Sequence, residues 1–423
     1  MRATTIRLAM VAALLSVGCD DDGDKGSDSG AASADTKGTG SATGTADGWV
    51  ANWTPCGGYM VDTLYCDDAQ TCYVGCGSDA AGHGLFLTTD GGLSWDIAPD
   101  ETGALFDDFR VHDVHRDPRD GLLYVAGKGD GDIRVVALDT TDGSVTEVYI
   151  NHPNIDYTMS SANYVRRSDG LELAESLTGG QVVIRRDDAG FRESYADYGG
   201  WADGDGWWHN TDYTMNAQVL DLVVVDDQII GSGSQINVPP AVLLPPRTWE
   251  FGTDSDGDGS LDLLWETVSF ASEGIGAYDG ECWGVAGNAD GLAVVCVDQD
   301  ADRGMAYTIG ADWQTTAYDP DNWTETRFDT VVAAATEGGR STWNEGVCRG
   351  PGNRVTVVGR DSQTNDGYVA HSEDGGSAWR EVTAAVEAAF GGGFGPITRC
   401  MYTADHLMVA GPGLYAYVPL GDL

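Results

Sequence analysis

The sequence predicts an all-β chain of repeated four-stranded units, and three observations carry that prediction. Short β-like runs alternate with Gly/Asp turns from residue 56 onward, with no long amphipathic helix between them. A characteristic second strand, usually closing on glycine, recurs as CYVGCG (72–77), LLYVAGK (122–128), QIIGSG (228–233), LAVVCVD (292–298), VTVVGRD (355–361) and LMVAGPG (407–413). LELAESL (171–177) fits between the second and third of these. The phrase LFLTTDGGLSW (85–95) is written again as VAHSEDGGSAW (369–379). Seven tandem units, each too small to bury its own faces, read as a seven-bladed β-propeller of four-stranded antiparallel blades. Two separate β-sandwiches are the alternative use of the same strands.

The last unit runs out after GLYAYVPL (413–420) with only three strands. GWVANWTP (48–55) is the expected donor of the fourth, which would close the ring and remove its open edges. The propeller is therefore expected over residues 48–423.

Upstream, MRATTIRLAMVAALLSVGC places Arg2 and Arg7 before an apolar run from Leu8 to Val17, followed by Gly18 and Cys19. The run is too short to span a bilayer and has the layout of a secretory signal. It resembles the bacterial lipoprotein signal, which implies removal of residues 1–18 and lipidation of Cys19. Ser16 departs from that pattern, which usually has Leu there. Residues 19–47 contain no aromatic or large aliphatic side chain. They are expected to be a disordered tether with a reach of roughly 30 Å. The expected location is the bacterial cell envelope, at the outer membrane or cell surface, with the lipid as the only membrane contact.

The chain has 423 residues and a net charge of −44, with 23 basic against 67 acidic groups. That balance excludes a nucleic-acid partner, which needs a basic footprint. It favours divalent cations and repulsion from anionic membranes. Beyond Cys19 stand Cys56, Cys66, Cys72, Cys76, Cys282, Cys296, Cys348 and Cys400. An even number in an exported chain reads as disulfides, and eight cysteines allow 105 pairings. Cys282–Cys296, on adjacent expected strands, is the best single pair.

The repeated phrase contains Thr88-x-Asp90-x-Gly92-x-x-Trp95 and Ser372-x-Asp374-x-Gly376-x-x-Trp379, each between a third and a fourth strand. The hydroxyl and carboxylate are expected to bond the turn's backbone, Gly to accept positive φ, and Trp to pack beneath. These residues resemble the Asp-box (BNR) repeat of sialidases, photosystem assembly propellers and sortilin-type receptors. The resemblance implies a propeller whose signature lies away from any catalytic centre. For a sialidase it would further imply a Tyr nucleophile, a Glu, an Asp and three Arg clamping a carboxylate. The Arg-Ile-Pro motif of that family is absent. Arg110 in DFRVHDV is the nearest candidate, while Arg166, Arg247, Arg327 and Arg399 follow no motif. The resemblance covers the scaffold and not the catalytic residues. No nucleophile elbow, zinc helix, Walker loop or dinucleotide fingerprint is present. His112 and His115 should point to opposite faces of a strand, and the three-residue spacing of Cys72 and Cys76 is unlike a thioredoxin-type pair.

Two further segments bear on ligands. In TWEFGTDSDGDGSLDLLWETV (248–268), Asp254, Asp256, Asp258, Gly259 and Asp262 have the alternation of a calcium loop, with the Ser260 carbonyl as a further oxygen. Trp265 stands where an EF-hand wants Glu, and Glu266 comes one place late. The segment resembles the calcium hairpins of FG-GAP-type propellers, which implies a structural Ca2+, and Trp265 is expected to serve as Trp95 and Trp379 do. WADGDGWWHNTDY (201–213) offers Asp203 and Asp205 but lacks further ligands. NIDYTMS (154–160) recurs as NTDYTMN (210–216), each just before a first strand. This puts Asp156, Tyr157, Asp212 and Tyr213 on a common rim with Tyr195, Tyr198, Trp201, Trp207 and Trp208, a sugar-stacking or protein-docking patch. The competing reading has Tyr and Met packing between blades and Asp capping a turn. The expected function is a monomeric, non-catalytic binding or assembly module for a protein or glycan. A sialidase-like glycoside hydrolase is the competing one.

Overall fold

The computed structural model describes residues 44–77, 84–103, 105–106, 109–129, 132–150, 162–176, 181–185, 201–202, 208–209, 217–235, 240–245, 247, 266–270, 280–298, 302–332 and 341–423. The chain is an all-β propeller with four-stranded antiparallel blades. The described strands group into seven antiparallel sheets. Their innermost strands are, in chain order, Met60–Cys66, Phe109–Arg116, Ala162–Arg166, Ala217–Val225, Gly280–Asn288, Thr342–Arg349 and Arg399–Tyr402. Five of the sheets run outward through strands taken in chain order, as in Met60–Cys66, Cys72–Gly77, Leu85–Thr88 and Asp96–Ile97 of the first, whereas in the third Trp208–His209 pairs with Gln181–Arg185 and Trp201–Ala202 lies outside it. The recurring phrases of the sequence are the second strands of these sheets.

Innermost strands of consecutive sheets lie side by side, and Arg399–Tyr402 lies against Met60–Cys66. Thr398 Oγ1 donates to the Val61 carbonyl at 2.6 Å across that junction. In the seventh sheet, Trp49–Asn52 pairs with Leu414–Pro419, Ala51 opposite Ala416, and Gly44–Ala46 adds a fifth strand outside it. Asp47 and Gly48 join those two strands with φ of 49° and 79°. Asp-Gly at two positive-φ positions is what a tight type I′ hairpin requires. Gly44–Ala46, within the segment expected to be tether, is thus strand because it finds a partner edge in Trp49–Asn52.

The core is divided into slabs between neighbouring sheets. Tyr73, Phe106, Phe109, Val111, Val125 and Val136 fill the space between the first and second, all nearly inaccessible. Strand Gly291–Asp298 of the fifth sheet is buried at every position, because a sheet sandwiched between two others has no wet face. Apolar burial between sheets leaves the ring axis for polar groups. Helix Thr383–Phe390, stopped by Gly391 at φ 83°, covers the outer strands of the seventh sheet. Four disulfides form: Cys56–Cys76, Cys66–Cys72, the expected Cys282–Cys296, and Cys348–Cys400, which joins the sixth and seventh sheets.

Candidate functional site: the cavity on the ring axis

Five innermost strands share one irregularity. Their register shifts between Val61 and Thr63, Val111 and Asp113, Val219 and Asp221, Cys282 and Gly284, and Asn344 and Gly346. A bulge inserts one unpaired residue and re-aims the side chains around it. The inserted residues are Asp62, His112, Leu220, Trp283 and Glu345, and all five line one cavity of about 300 Å³. Asn163 and Arg399 come from the remaining two strands, so every sheet contributes to this wall.

The charged groups here are heavily engaged. Asp62 meets Arg110 Nε at 3.0 Å and His112 Nδ1 at 3.3 Å, and Glu345 meets Arg360 Nε at 2.8 Å. Arg399 donates to the backbone carbonyls of Asp62 (2.5 Å), Thr398 (2.7 Å) and Glu345 (3.3 Å). Asp113 accepts the Tyr164 N–H at 3.2 Å, and Asp221 accepts those of Leu222 and Val285, both at 2.9 Å. These two carboxylates therefore stitch each sheet to the next. Burial pushes Asp221 up to about 7, against the Val285 N–H and with help from the Asp113 charge. Burial likewise raises Glu345, opposed by Arg360 and Arg399. Trp283 stays 40% exposed in the wall.

Of the arginines considered for a substrate clamp, Arg399 lines this cavity, and Arg110 is tied to the lining carboxylate Asp62. Arg166 instead pairs with Asp120 at 2.9 Å and Glu172 at 3.2 Å. Arg247 pairs with Glu266 and lies over the Tyr318 ring, and Arg327 pairs with Glu325. Arg116, Arg119, Arg166 and Tyr164 do line a separate cavity of about 500 Å³, but those three arginines are paired with Asp67, Asp117 and Asp120. His112 and His115 go to different carboxylates, Asp62 and Asp113, and His115 stacks on Tyr124 and Tyr164.

The two S/T-x-D-x-G-x-x-W segments join third and fourth strands, as expected. Thr88 Oγ1 accepts the Gly92 N–H at 2.8 Å and donates to Asp90, and Ser372 repeats this with Gly376 and Asp374 at 2.9 Å each. Burial works to raise the Asp90 carboxyl, but hydrogen bonds from Ser94 and Thr88 outweigh it and hold it below its usual range. Trp379 bonds its own turn as expected, donating to the Gly376 carbonyl at 2.9 Å, and both tryptophans also reach beyond their turns. Trp95 donates to the Trp53 carbonyl and meets Tyr415 edge-on, while Trp379 donates to Thr326 and meets Phe328 edge-on. Each hairpin thus clamps the preceding sheet. Trp323 is a third tryptophan just ahead of a fourth strand, buried and bonded to the Ala317 carbonyl. The sequence gives no hydroxyl–carboxylate pair before it, which is why the motif alone does not find it.

Cys19, Asp156, Tyr157, Tyr195, Tyr198, Asp203, Asp205, Trp207, Asp212, Tyr213, Asp254, Asp256, Asp258, Gly259, Ser260, Asp262 and Trp265 lie outside the described residues. Trp201 and Trp208 fall in two short paired strands of the third sheet.

No protein-family model and no curated protein matches the sequence. Solved structures do. YCF48 from Cyanidioschyzon merolae aligns over 89% of this chain and 100% of its own, with a TM-score of 0.52 and 10% identity. An ancestral GH74 enzyme aligns over 86% of this chain and 48% of its own, with a TM-score of 0.54 and 14% identity. This chain spans about half of that enzyme. At such identities the likeness is one of fold, and the fold it shows is the β-propeller.

Proposed function

We propose that the chain is an exported, lipid-anchored envelope protein whose body acts as a non-catalytic binding or assembly module for a protein or glycan. The observation that carries this reading is the axial cavity. All seven sheets build it, yet its lining arginine is spent on backbone carbonyls and its raised carboxyl, Asp221, on two backbone N–H groups, leaving an accessible aromatic. Seven sheets and the pairing of Trp49–Asn52 with Leu414–Pro419 support a seven-bladed ring closed by its N-terminal strand. The hydroxyl–carboxylate networks of the two hairpins support their membership of the Asp-box class. Four disulfides fit an oxidising compartment, in keeping with export and lipidation of Cys19.

In this reading Asp254, Asp256, Asp258, Ser260 and Asp262 hold a structural Ca2+ ahead of strand Glu266–Ser269. The rim segments with Asp156, Tyr157, Asp212 and Tyr213 extend the binding face, since they lead into the innermost strands Ala162–Arg166 and Ala217–Val225. The chain acts as a monomer. A glycan array probed with the full chain, with calcium and with chelator, tests the module. Calcium-dependent binding without hydrolysis is expected for a glycan partner. Turnover of a sialoside or other glycoside would overturn the non-catalytic reading. Palmitate labelling lost in Cys19→Ala tests the anchor.

A further inference from the structure

We infer that the axial cavity receives a cationic side chain, the guanidinium or ammonium group of a basic segment on a partner protein. The inference rests on the binding reading above and narrows it to one chemistry. The cavity combines an aromatic face with more lining carboxylates than lining arginines. Trp283 is turned into the wall by the bulge between Cys282 and Gly284, and solvent reaches it. Trp49, Trp95, Trp313 and Trp323 are buried by contrast. Indole is the most favourable side-chain face for a cation.

Four carboxylates line the same space: Asp62, Asp113, Asp221 and Glu345, with Arg399 as the lining arginine. Asp62 and Glu345 have their own arginines, Arg110 and Arg360. Asp113 and Asp221 are held by backbone N–H groups, with His115 3.6 Å from Asp113, and no lysine or arginine among the described residues is ion-paired with either. Burial is the main force against ionisation of Asp221, the Asp113 charge adds a smaller repulsion and Arg399 offsets part of it, so a cation entering the cavity would relieve what remains of that repulsion. A neutral sugar could use the indole but would leave that repulsion in place. A volume of about 300 Å³ suits one side chain and sits at the small end of ligand pockets. The net charge of −44 would speed the approach of a basic partner.

The test is calorimetric titration of the full chain, at about 150 mM salt to screen the outer surface, with acetyl-Gly-Arg-Gly-amide, its Gln counterpart and a methyl glycoside. The arginine peptide should bind at least tenfold more tightly than the glutamine peptide. Trp283→Leu should lose about tenfold, Trp283→Phe less, and Asp221→Asn should weaken binding while its amide oxygen still accepts the Val285 N–H. Circular dichroism melting confirms that each variant is folded. Equal affinity in Trp283→Leu would mean general attraction to an acidic surface and overturn the inference, as would no binding at millimolar peptide. Binding of the glycoside alone would overturn the cationic ligand while leaving the binding module standing.

Discussion

His371 is inaccessible to solvent, with Nδ1 3.1 Å from both Thr356 Oγ1 and Tyr402 Oη and Nε2 3.6 Å from Glu373. Burial, reinforced by the Arg380 charge and opposed by Glu373, lowers its pKa to about 4. An unfolded histidine takes its proton near 6.5, so between about 6.5 and 4 the unfolded chain binds the extra proton and the folded one does not. Stability should fall as pH drops through that window, by about 3 kcal/mol at most from this residue. Urea midpoints of wild type and His371→Gln across the window should show a shallower pH slope in the variant; identical slopes would refute this. The cavity residues illustrate what the sequence hides at this scale. Asp62, His112, Trp283 and Glu345 are far apart in the chain and of unrelated type, and only the ring brings them together. A faint signal exists: an acidic residue recurs in the middle of VDTL, VHDV, LDLV and NEGV, where an inner strand should otherwise be apolar.

The hairpins were legible because all their ligands fall within eight residues, a distance over which backbone geometry follows from residue type. What they touch was not, since the clamped sheet is supplied by remote sequence. Gly376 shows the difference. It has φ 94°, and a Cβ there would lie 2.4 Å from Thr308 Oγ1, a buried atom of the preceding sheet. Gly391 has φ 83° with nothing within 4 Å. Gly391→Ala should therefore cost only the left-handed backbone penalty, about 1 kcal/mol. Gly376→Ala adds overlap in a packed interface and should cost roughly 2–4 kcal/mol. Guanidinium denaturation of the two variants separates backbone strain from inter-sheet clamping. Equal costs would mean that the hairpin does not bear on its neighbour.

For the whole molecule, repetition made the architecture readable: seven near-copies of one strand phrase leave few alternatives to a ring. The slab-like cores follow from the same pattern, but the exact place of each bulge does not, because the acidic residue of an inner strand is the unpaired one at Asp62 and Glu345 but not at Asp113 and Asp221. The seam is the place to test the ring. Ala51 is buried between Gly44–Ala46 and Leu414–Pro419, and proline inside a sheet removes a ladder hydrogen bond and clashes. Ala51→Pro should lower stability by about 3 kcal/mol or more and broaden thermal unfolding, whereas the same change at exposed Asp405, in the turn before His406–Gly411, should do less. Equal melting of the two would show that Trp49–Asn52 is dispensable.

The seam also imposes a timetable. Thr54 donates to the Gly411 carbonyl 357 residues later, so one of the earliest strands of the body waits for one of the last. At about 5–20 residues per second of synthesis, that wait is on the order of 20–70 s. Until then Trp49–Asn52 is a bare β-edge at the leading end of a growing chain, and holding it unpaired falls to whatever escorts the nascent protein.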